Sequence, residues 1–417
     1  MPIFKKMENI RLGVIGYGCR SYGMTDLFLS FDDVTVVAVC DKYEDRCENG
    51  KNRVKEKRGY EPFVTTNYHE ILEREDIDAV FIATDWELHI PIAIDAMNAG
   101  KAVCLEVGGA YSIKDCYDLV DTWEKTRVPF MFLENCCFNR DELLAHAIAK
   151  TGALGRIVHC SGAYSHDLRT EVVFGKENRH YRLRNYLNRN CENYPTHELG
   201  PMAKVLNINR GNRMVSLVSV ASKSFGMEEY VKEHADKVDP ALQGVDFAQG
   251  DIVNTIITCE NGETMHLLLD TSLPRSYNRN FTVRGTKGMY EQYTNSVFLD
   301  GDNEYWTGKE YMENNLCNDE KYNHLLPDCW KNITKEQLDA GHGGMDYVEL
   351  REFVDRLKAN EPMPIDVYDA ASWMCVSCLS EESIKNGGKP MEIPDFTKGA
   401  YKTRGEIDII MGYTLGK

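Results

Sequence analysis

The sequence predicts an α/β protein with two domains, the first built on a doubly wound parallel sheet and the second an α+β domain with an open, mostly antiparallel sheet. Over residues 1–135, apolar runs typical of buried strands alternate with helical patterns, which indicates a parallel sheet with helices on its faces. Over residues 136–417, several strand-like runs follow one another and two amphipathic helices come late in the chain. We expect the domain boundary near residue 135, with the C-terminal helices packing back onto the rest.

The predicted strands of the first half are apolar runs without an internal charge. They lie at Leu12–Ile15, Val34–Cys40, Ala79–Thr84 and Ala102–Leu105, and a helix is predicted over Pro91–Ala99. The domain is expected to end with the apolar run that begins at Pro129.

The second half opens with a predicted helix, Arg140–Thr151, and then changes to strands. Runs rich in β-branched residues predict strands at Ile157–Tyr164, Val215–Ser222, Asp251–Cys259, Thr264–Asp270 and Asn280–Arg284. The late helices are predicted at Asp346–Ala359 and Tyr368–Lys385. The polar stretch Asn295–Thr334 is interpreted as a long loop over a site or as a surface excursion.

The first strand ends in Gly16-x-Gly18, with Ser21 at the third small position of a dinucleotide fingerprint. The first glycine permits a tight turn, the second lets the backbone approach a pyrophosphate, and the third position needs a small residue for helix packing. The pyrophosphate would then lie at a helix N-terminus, whose free N–H groups attract anions. Asp41 ends the second strand, where a carboxylate accepts both ribose hydroxyls and repels a 2′-phosphate. We therefore predict a Rossmann domain that binds NAD, with a turn-capping Asp41 as the structural alternative.

The composition excludes several classes of partner and site. The 417 residues carry a net charge of −17, which argues against nucleic acid and anionic membranes as partners. No segment has the length of a membrane span, and the first residues lack the apolar core of an export signal. The 14 cysteines include Cys375-x-x-Cys378 and the adjacent Cys136 and Cys137, without the second pair or spaced histidines of a zinc site. We expect a cytoplasmic protein with free thiols and no bound metal.

Two segments carry a resemblance to a known family. Glu106 and Val107 stand where many sugar dehydrogenases carry Glu-Lys-Pro, whose lysine transfers protons, and residues 193–201 read Asn-Tyr-Pro-Thr-His-Glu-Leu-Gly-Pro. On these segments the chain resembles the Gfo/Idh/MocA oxidoreductase family along nearly its whole length. Within it, the chain is similar to the NAD-dependent α-N-acetylgalactosaminidases. Further matches are Cys19-Arg20, Asp41, residues 86–89, residues 133–137, residues 159–169, and Tyr277 before residues 285–288.

The resemblance implies two sets of contacts. With the glycines of the turn, the NAD contacts would come from Gly16, Gly18, Cys19, Arg20, Asp41, Trp86, His89, Glu106, Val107 and Asn135. The substrate contacts would come from Tyr164, Arg182, Tyr194, Pro195, Thr196, His197 and Tyr277. The chain departs from the family at Glu198, where glycine is common, and in a charged insert over 167–187 that leaves Arg182 and Arg184 as alternative matches.

The same resemblance implies a glycoside hydrolase that works through tightly bound NAD instead of two carboxylates. The sugar, an α-linked N-acetylgalactosamine or a related hexosamine, would be oxidised at C3 and lose its aglycone by elimination across C1 and C2. It would then take up water and be reduced again, with net retention of configuration. The preference for the N-acetyl group rests on the resemblance alone.

Tyrosine and histidine suit this cycle because both donate and accept protons. Among the catalytic candidates, we assign His197 to the C3 hydroxyl and Tyr194 to the C2 proton or its enolate. Glu106 would orient the nicotinamide ribose or a hydroxyl, and Tyr164 and Tyr277 are further candidates.

The spacing of Tyr194 and His197 supports a shared task. The two residues are three apart, so they lie on one face if they open a helix. Pro195 suits a first helical turn, and Thr196 suits its cap.

Several assignments have structural alternatives. In these alternatives, His197 is a buried residue at a helix start, and Tyr164 and Tyr277 serve only in packing. His89 caps a helix, and Asn135 holds the end of a strand. Two other functions also stay open. One is a sugar dehydrogenase in which another group, such as His197, replaces the missing lysine, and the other is a non-catalytic sensor that keeps NAD. The resemblance also implies a homo-oligomer, dimeric or larger, because the open sheet often mediates dimers in this superfamily.

Overall fold

The computed structural model describes residues 7–301 and 316–416. The strands of the N-terminal domain are β1 (Ile10–Ile15), β2 (Val34–Cys40), β3 (Phe63–Thr65), β4 (Ala79–Ile82), β5 (Ala102–Glu106) and β6 (Phe130–Leu133). Its helices are α1 (Cys19–Ser30), α2 (Glu44–Arg58), α3 (Tyr68–Leu72), α4 (Trp86–Asn98) and α5 (Ile113–Thr126). All six strands are parallel, in the order β3-β2-β1-β4-β5-β6. The order reverses direction next to β1, where α/β sheets open a crevice for a ligand.

The predicted elements of this domain agree with the structure to within two residues at strand ends. The edge strand β3 has too few apolar residues to be recognised from the sequence. The fourth helix begins at Trp86, not at Pro91 as predicted. The prediction assumed that a proline begins a helix, whereas Pro91 lies inside α4, so Trp86 and His89 occupy its first turn.

The C-terminal domain has a second sheet. Its strands are β7 (Ile157–Ser165), β8 (Met214–Ala221), β9 (Ile252–Cys259), β10 (Thr264–Asp270), β11 (Thr282–Gly285), β12 (Gly288–Glu291), β13 (Ser296–Leu299) and β14 (Met391–Glu392). Its helices are α6 (Arg140–Lys150), α7 (Arg169–Val173), α8 (Arg182–Asn188), α9 (Thr196–Val205), α10 (Phe225–Glu233), α11 (Asp328–Lys331), α12 (Lys335–Asp339), α13 (Met345–Ala359) and α14 (Val367–Lys385). The strand order is β13-β12-β11-β7-β10-β9-β8-β14.

This sheet is mostly antiparallel, as predicted, but one central pair is parallel. Gly162 of β7 lies opposite Leu267 of β10 in a parallel register. A parallel neighbour needs a long crossover, and the helices and strands between residues 165 and 264 supply it. The strand patterns alone carried no information about this direction.

The two late helices lie against the N-terminal domain. Helix α14 reaches the nucleotide domain through the backbone, because the Ala110 N–H donates to the Met374 carbonyl at 3.0 Å. Just before α14, the Ile365 carbonyl accepts a hydrogen bond from the backbone of β6 at 3.0 Å. In α13, Arg351 forms an ion pair with Asp33 at 2.8 Å. These contacts hold the second sheet over the carboxyl ends of the first.

A buried ion cluster anchors the start of α14. Both carboxylate oxygens of Asp369 are paired, with Lys204 of α9 at 2.8 Å and with Arg210 at 2.8 Å. All three side chains are buried. Burial raises the pKa of Asp369, but the charges of Arg210 and Lys204 outweigh it and hold that pKa below its ordinary value.

Asp369→Asn is expected to destabilise the fold by about 3 kcal/mol, because it leaves two buried cations without their shared anion. The measurement is the free energy of unfolding in urea at neutral pH. The matched control is Asp118→Asn, which breaks an exposed pair with Lys114 on α5 and should leave the free energy of unfolding nearly unchanged.

The destabilisation has a defined pH dependence. A carboxyl whose pKa is lowered by folding stabilises the protein above its unfolded value, and that stabilisation is lost as the pH falls. The difference between wild type and Asp369→Asn should therefore be constant above about pH 5 and shrink below about pH 4. A difference that grows on acidification would contradict the ion-cluster explanation.

Candidate active site

A cavity of about 370 Å³ lies between the two domains, at the carboxyl ends of the parallel strands. The structure brings every residue predicted to contact NAD to its wall: Gly16, Gly18, Cys19, Arg20, Asp41, Trp86, His89, Glu106, Val107 and Asn135. From the other domain it receives Tyr164, Arg182, Tyr194 and His197 of the predicted substrate set. Three of that set, Pro195, Thr196 and Tyr277, do not line it.

The glycine turn has the geometry that a pyrophosphate requires. Gly16 has φ +92°, and a Cβ there would lie 2.4 Å from the Ala83 carbonyl oxygen. Gly18 precedes the first residue of α1, whose free N–H groups face the cavity end of the helix. Ser21 is fully buried, as a small packing residue at the third position should be. These residues fit a dinucleotide.

Asp41 lies at the ribose end of this turn. Its Oδ2 accepts a hydrogen bond from the Tyr17 N–H at 2.7 Å, and its Oδ1 accepts one from the Tyr43 N–H at 3.0 Å. Arg46 lies 3.7 Å from the same carboxylate. The backbone bonds fix the orientation of the carboxylate and leave lone pairs for the ribose hydroxyls.

Glu106 has a hydrogen-bond partner, Arg20, that the sequence did not indicate. Arg20 donates to Glu106 Oε1 at 2.7 Å and to Asp346 Oδ2 at 2.6 Å, so it bridges the two domains. Asn135 donates to the other oxygen of Asp346 at 2.7 Å. Burial raises the pKa of Glu106, and the charge of Arg20 opposes that rise. Next to this network Val107 presents only an aliphatic side chain to the cavity.

Trp86 and His89 project from the first turn of α4. The Trp86 ring stacks on Tyr194, with 5.3 Å between the ring centroids. His89 Nε2 donates to the Thr84 carbonyl at 3.0 Å, and its Nδ1 has no hydrogen-bond partner among the described residues. Burial lowers the pKa of His89 to about 4, so the ring is neutral where this residue lines the cavity. His89 thus donates from the first turn of α4 to a carbonyl that precedes the helix. A helix-capping side chain would instead accept a hydrogen bond from a backbone N–H of that turn.

The aromatic residues of the substrate side form one cluster. The Tyr194 ring lies 4.5 Å from Tyr164 and 4.8 Å from His197, measured between centroids. Arg182 lies 5.2 Å from the Tyr194 ring and is buried, whereas Arg184 is half exposed at the rim. The structure therefore puts Arg182, and not Arg184, in the cavity.

Burial sets the protonation of this cluster. It raises the pKa of Tyr164 to about 12 and the pKa of Tyr194 well above its ordinary value. Both side chains are therefore uncharged phenols. The Tyr164 hydroxyl lies 3.5 Å from Nδ1 of His166, whose pKa burial lowers.

Two expectations about the Tyr-Pro-Thr-His string were wrong. Tyr194 precedes the helix, since α9 begins at Thr196, and no side chain caps this helix. Pro195 stands at the cap position itself. The two aromatic rings still converge in an edge-to-face contact, because Pro195 already has helical backbone angles and brings Tyr194 next to His197.

Two other predicted positions lie outside the cavity wall. Tyr277 is 46% exposed, and its hydroxyl accepts a hydrogen bond from Arg279 at 3.2 Å. Its ring lies 5.3 Å from His166, which places it at the entrance. Glu198 is buried behind the site, where its Cβ occupies the space that a side chain at Gly162 would fill. It does not form the floor of the cavity.

The sequence analysis missed several residues of the site. His166, Tyr181 and His180 line the cavity, and Asp346 and Glu134 hold residues that do. Glu134 stood inside a matching segment without an assigned role, and Asp346 is far from the others in sequence. No local pattern connects either residue to its partner.

Glu134, Cys136 and His197 also bring three potential metal-binding atoms within 4.8 Å of one another. Glu134 Oε1 already accepts hydrogen bonds from His197 Nδ1 at 2.8 Å and from the Cys136 N–H at 3.1 Å. Burial raises the pKa of the Cys136 thiol well above its ordinary value, which opposes the thiolate that a metal requires. The geometry is that of a hydrogen-bonded pair, and the absence of a metal stays a prediction.

The charged insert folds across the NAD side of the cavity. We name residues 178–184 the clasp. Arg179 forms a two-pronged ion pair with Asp45 of α2 at 2.8 and 2.7 Å, and the Asn178 carbonyl accepts from Arg46 at 3.2 Å. Arg184 pairs with Glu87 of α4 with its Nε at 2.8 Å. The clasp joins the substrate domain to the nucleotide domain over the cavity that it lines.

Arg179→Glu is expected to speed the release of bound NAD roughly fivefold, because it replaces an exposed attraction with a repulsion. The measurement is the rate at which NAD leaves the protein after dilution. Lys176→Glu is the matched control, since Lys176 pairs at 2.9 Å with Asp239 of its own domain. Equal release rates in Arg179→Glu and wild type would contradict a closing role for the clasp. Adding Asp45→Arg to Arg179→Glu restores opposite charges and should restore the retention of NAD.

The parallel sheet, the glycine turn and the interdomain cavity define an enzyme with a Rossmann NAD-binding domain and a separate substrate domain. The family model described as "Oxidoreductase family, NAD-binding Rossmann fold" matches residues 10–133. The model described as "Glycosyl hydrolase 109, C-terminal domain" matches residues 138–403. The chain therefore belongs to glycosyl hydrolase family 109, and it is a glycosidase that uses NAD.

Curated relatives support the same family over the whole chain. A glycosyl hydrolase family 109 protein of Stenotrophomonas maltophilia is 37% identical over 97% of this chain and 93% of its own. An α-N-acetylgalactosaminidase of Tannerella forsythia is 35% identical over 96% of this chain and 89% of its own. These matches confirm the predicted family and the glycosidase class. The match to the NAD-binding Rossmann model confirms NAD as the cofactor.

Solved structures share the fold at low identity. A levoglucosan dehydrogenase in complex with NADH superimposes with a TM-score of 0.67 at 18% identity, covering 93% of this chain and 99% of its own. An NAD binding oxidoreductase from Klebsiella pneumoniae gives 0.68 at 14% identity, with coverages of 93% and 99%. At this identity the likeness shows the fold alone, which confirms the predicted α/β class. Over the described ranges, 7–301 and 316–416, no helix is long and apolar enough to cross a membrane.

Proposed function

We propose that this protein is a retaining glycosidase that cleaves an α-linked N-acetylgalactosamine or a related hexosamine by oxidation at C3, elimination across C1 and C2, hydration and reduction. The observation that carries the proposal is the cluster of Tyr164, Tyr194 and His197 on the wall of the cavity that Val107 also lines. The cavity has proton-transfer groups on the sugar side, and Val107 supplies none. This arrangement suits a sugar that is oxidised and then reduced again within one catalytic cycle. The named α-N-acetylgalactosaminidase among the relatives supports the sugar.

NAD, when bound, supplies the hydride acceptor and donor for C3. The chain supplies the proton transfers. His197 takes the proton of the C3 hydroxyl as C3 is oxidised and returns it when C3 is reduced. The ketone at C3 then makes the C2 proton acidic enough for removal by a weak base.

The raised pKa values of Tyr164 and Tyr194 keep both side chains neutral, and we propose a different role for each. As a neutral phenol, Tyr194 donates a hydrogen bond to the enolate oxygen that gains charge, which is one of the two roles predicted for it. We assign the removal of the C2 proton to Tyr164 together with His166, because neutral His166, 3.5 Å from the Tyr164 hydroxyl, can accept the proton that Tyr164 passes on. Arg182 beside these rings favours transient negative charge on either phenol.

Glu106 has an orienting role in this proposal. Its Oε1 is held by Arg20, and its Oε2 accepts from the Val107 N–H at 3.2 Å. The carboxylate is thus rigid at the cavity wall and able to hold a ribose or sugar hydroxyl. Tyr277, with Arg279 behind it, is proposed to contact the aglycone at the entrance.

The test is incubation of the purified protein with a panel of aryl α- and β-glycosides in deuterated water. We expect release of the aglycone from α-N-acetylgalactosaminides, deuterium at C2 of the product and no net NADH, because the hydride returns to C3. Aglycone release without deuterium at C2 would exclude elimination. NADH accumulation with intact glycoside would support the alternative, a sugar dehydrogenase in which His197 replaces the missing lysine.

His197→Ala is expected to lower kcat for aglycone release by about 10²–10⁴-fold, because C3 oxidation loses its proton acceptor. Steady-state kinetics on the preferred aryl glycoside measures it, with NAD content checked beside it. The control is His324→Ala, an exposed histidine whose ring bonds, within the described part of the chain, only to the Lys321 carbonyl, at 3.1 Å. Normal sugar release by His197→Ala would contradict the role proposed for His197. If the wild type binds NAD but turns over no glycoside, the alternative of a non-catalytic sensor would be favoured.

Two broader expectations also belong to this proposal. Each of the 14 cysteines is free, which suits the reducing cytoplasm. Val220 of β8 and Ile256 of β9 are both 52% exposed on the outer face of the second sheet, which supports pairing of two copies there.

A further inference from the structure

Glu134 meets His197 at the boundary between the two domains. Glu134 directly follows β6 of the nucleotide domain, whereas His197 is in the first turn of α9 in the substrate domain. Its Oε1 accepts a hydrogen bond from Nδ1 of His197 at 2.8 Å. The Glu134 side chain is fully buried, and that of His197 is 12% exposed. The charge of this carboxylate therefore acts on the histidine with little screening by water.

The close approach depends on a glycine one turn further along α9. A Cβ at Gly200 would lie 2.7 Å from Cγ of Glu134 and 3.1 Å from Sγ of Cys137. Any side chain there would push the helix away from the turn that follows β6. Gly200 thus allows the distance between the carboxylate and the imidazole.

The hydrogen bond determines which nitrogen of His197 carries the proton. A carboxylate only accepts, so Nδ1 donates and the neutral ring keeps its free lone pair on Nε2. That second nitrogen makes no hydrogen bond to any described residue, and the ring lines the cavity.

We propose that Glu134 is a positioning residue that holds His197 with Nε2 as the proton acceptor for the substrate hydroxyl. The inference rests on the proposed function, in which His197 serves C3. On oxidation, the O–H proton moves to Nε2 and the C3 hydride moves to the nicotinamide carbon of NAD. Reduction returns both. Glu134 keeps its charge throughout and stabilises the imidazolium between the two steps.

The surroundings favour a charged Glu134. Burial raises its pKa, but pairing with His197 outweighs this and lowers it overall. The other titratable groups facing the pair are Cys136 and Cys137 after β6, Tyr164 and His166 of the β7 end, Tyr194, Glu198 of α9 and Glu349 of α13. Burial raises the pKa of Glu198 and of Glu349, which favours their uncharged forms and leaves Glu134 as the anion.

The first test is a double-mutant cycle on the full-length protein with bound NAD. Glu134→Gln should slow single-turnover reduction of the bound NAD, followed at 340 nm, by roughly 10²-fold. The same change in the His197→Ala background should add nothing, because Glu134 acts through His197. Equal losses in both backgrounds would mean a purely structural role and overturn the inference.

Two controls separate positioning from folding. Asp319→Asn removes a buried carboxylate paired at 3.1 Å with Arg140, away from the cavity, and should leave the rate unchanged. Glu134→Gln should keep its full content of NAD, because Glu134 does not line the cavity. A loss of bound NAD in parallel with the loss of rate would contradict the proposal.

A measurement without turnover distinguishes this inference from the proposed function. Long-range ¹H–¹⁵N spectra of ¹⁵N-histidine-labelled protein, assigned with His197→Ala, should show His197 protonated at Nδ1 in the wild type and a mixture of tautomers in Glu134→Ala. A wild-type ring protonated at Nε2, or a stoichiometric metal ion lost in Glu134→Ala, would overturn it. If the tautomer is as expected and no glycoside reacts, the proposed function fails and the geometry stands.

Discussion

The site depends on one close contact, between the turn after β6 and the first turns of α9. Gly200 lets the helix approach, and Glu134 then lies within hydrogen-bond distance of His197. Because the two residues belong to different domains, this contact fixes the position of the substrate-binding residues relative to the nucleotide-binding residues. The late helix α14 supports it from behind, since Trp373 packs beside the same glycine and Asp369 pairs with Lys204 of α9.

The electrostatics of the cavity follow from unequal burial and pairing. On the nucleotide side, Arg20 joins Glu106 and Asp346, so the charges there are compensated and rigid. On the sugar side, Tyr164 and Tyr194 are buried and remain neutral, while Arg182, paired with Glu171 at 2.6 Å, is the cation beside them. A low-dielectric wall of neutral donors suits a reaction whose intermediates carry negative charge on oxygen. The clasp lies over the NAD side of the same cavity.

The nucleotide side was the more predictable half. The glycine turn, Asp41 and the apolar strands are local features, in which backbone conformation and hydrophobic pattern decide the structure within a few residues. The substrate side was predicted less completely. Tyr164, Arg182, Tyr194 and His197 were named, yet only through the resemblance, and Tyr277 lies at the entrance instead of on the wall.

The sequence by itself determined the two-domain α/β architecture, the turn for the dinucleotide and the absence of a lysine at Val107, because each is written in contiguous residues. Only the tertiary structure decided the parallel pairing of β7 with β10, the bridge from Arg20 to Asp346 and the pair of Glu134 with His197. These involve residues 63 to 326 positions apart. Such partners are selected by packing of whole helices and sheets, which no local pattern of side chains encodes.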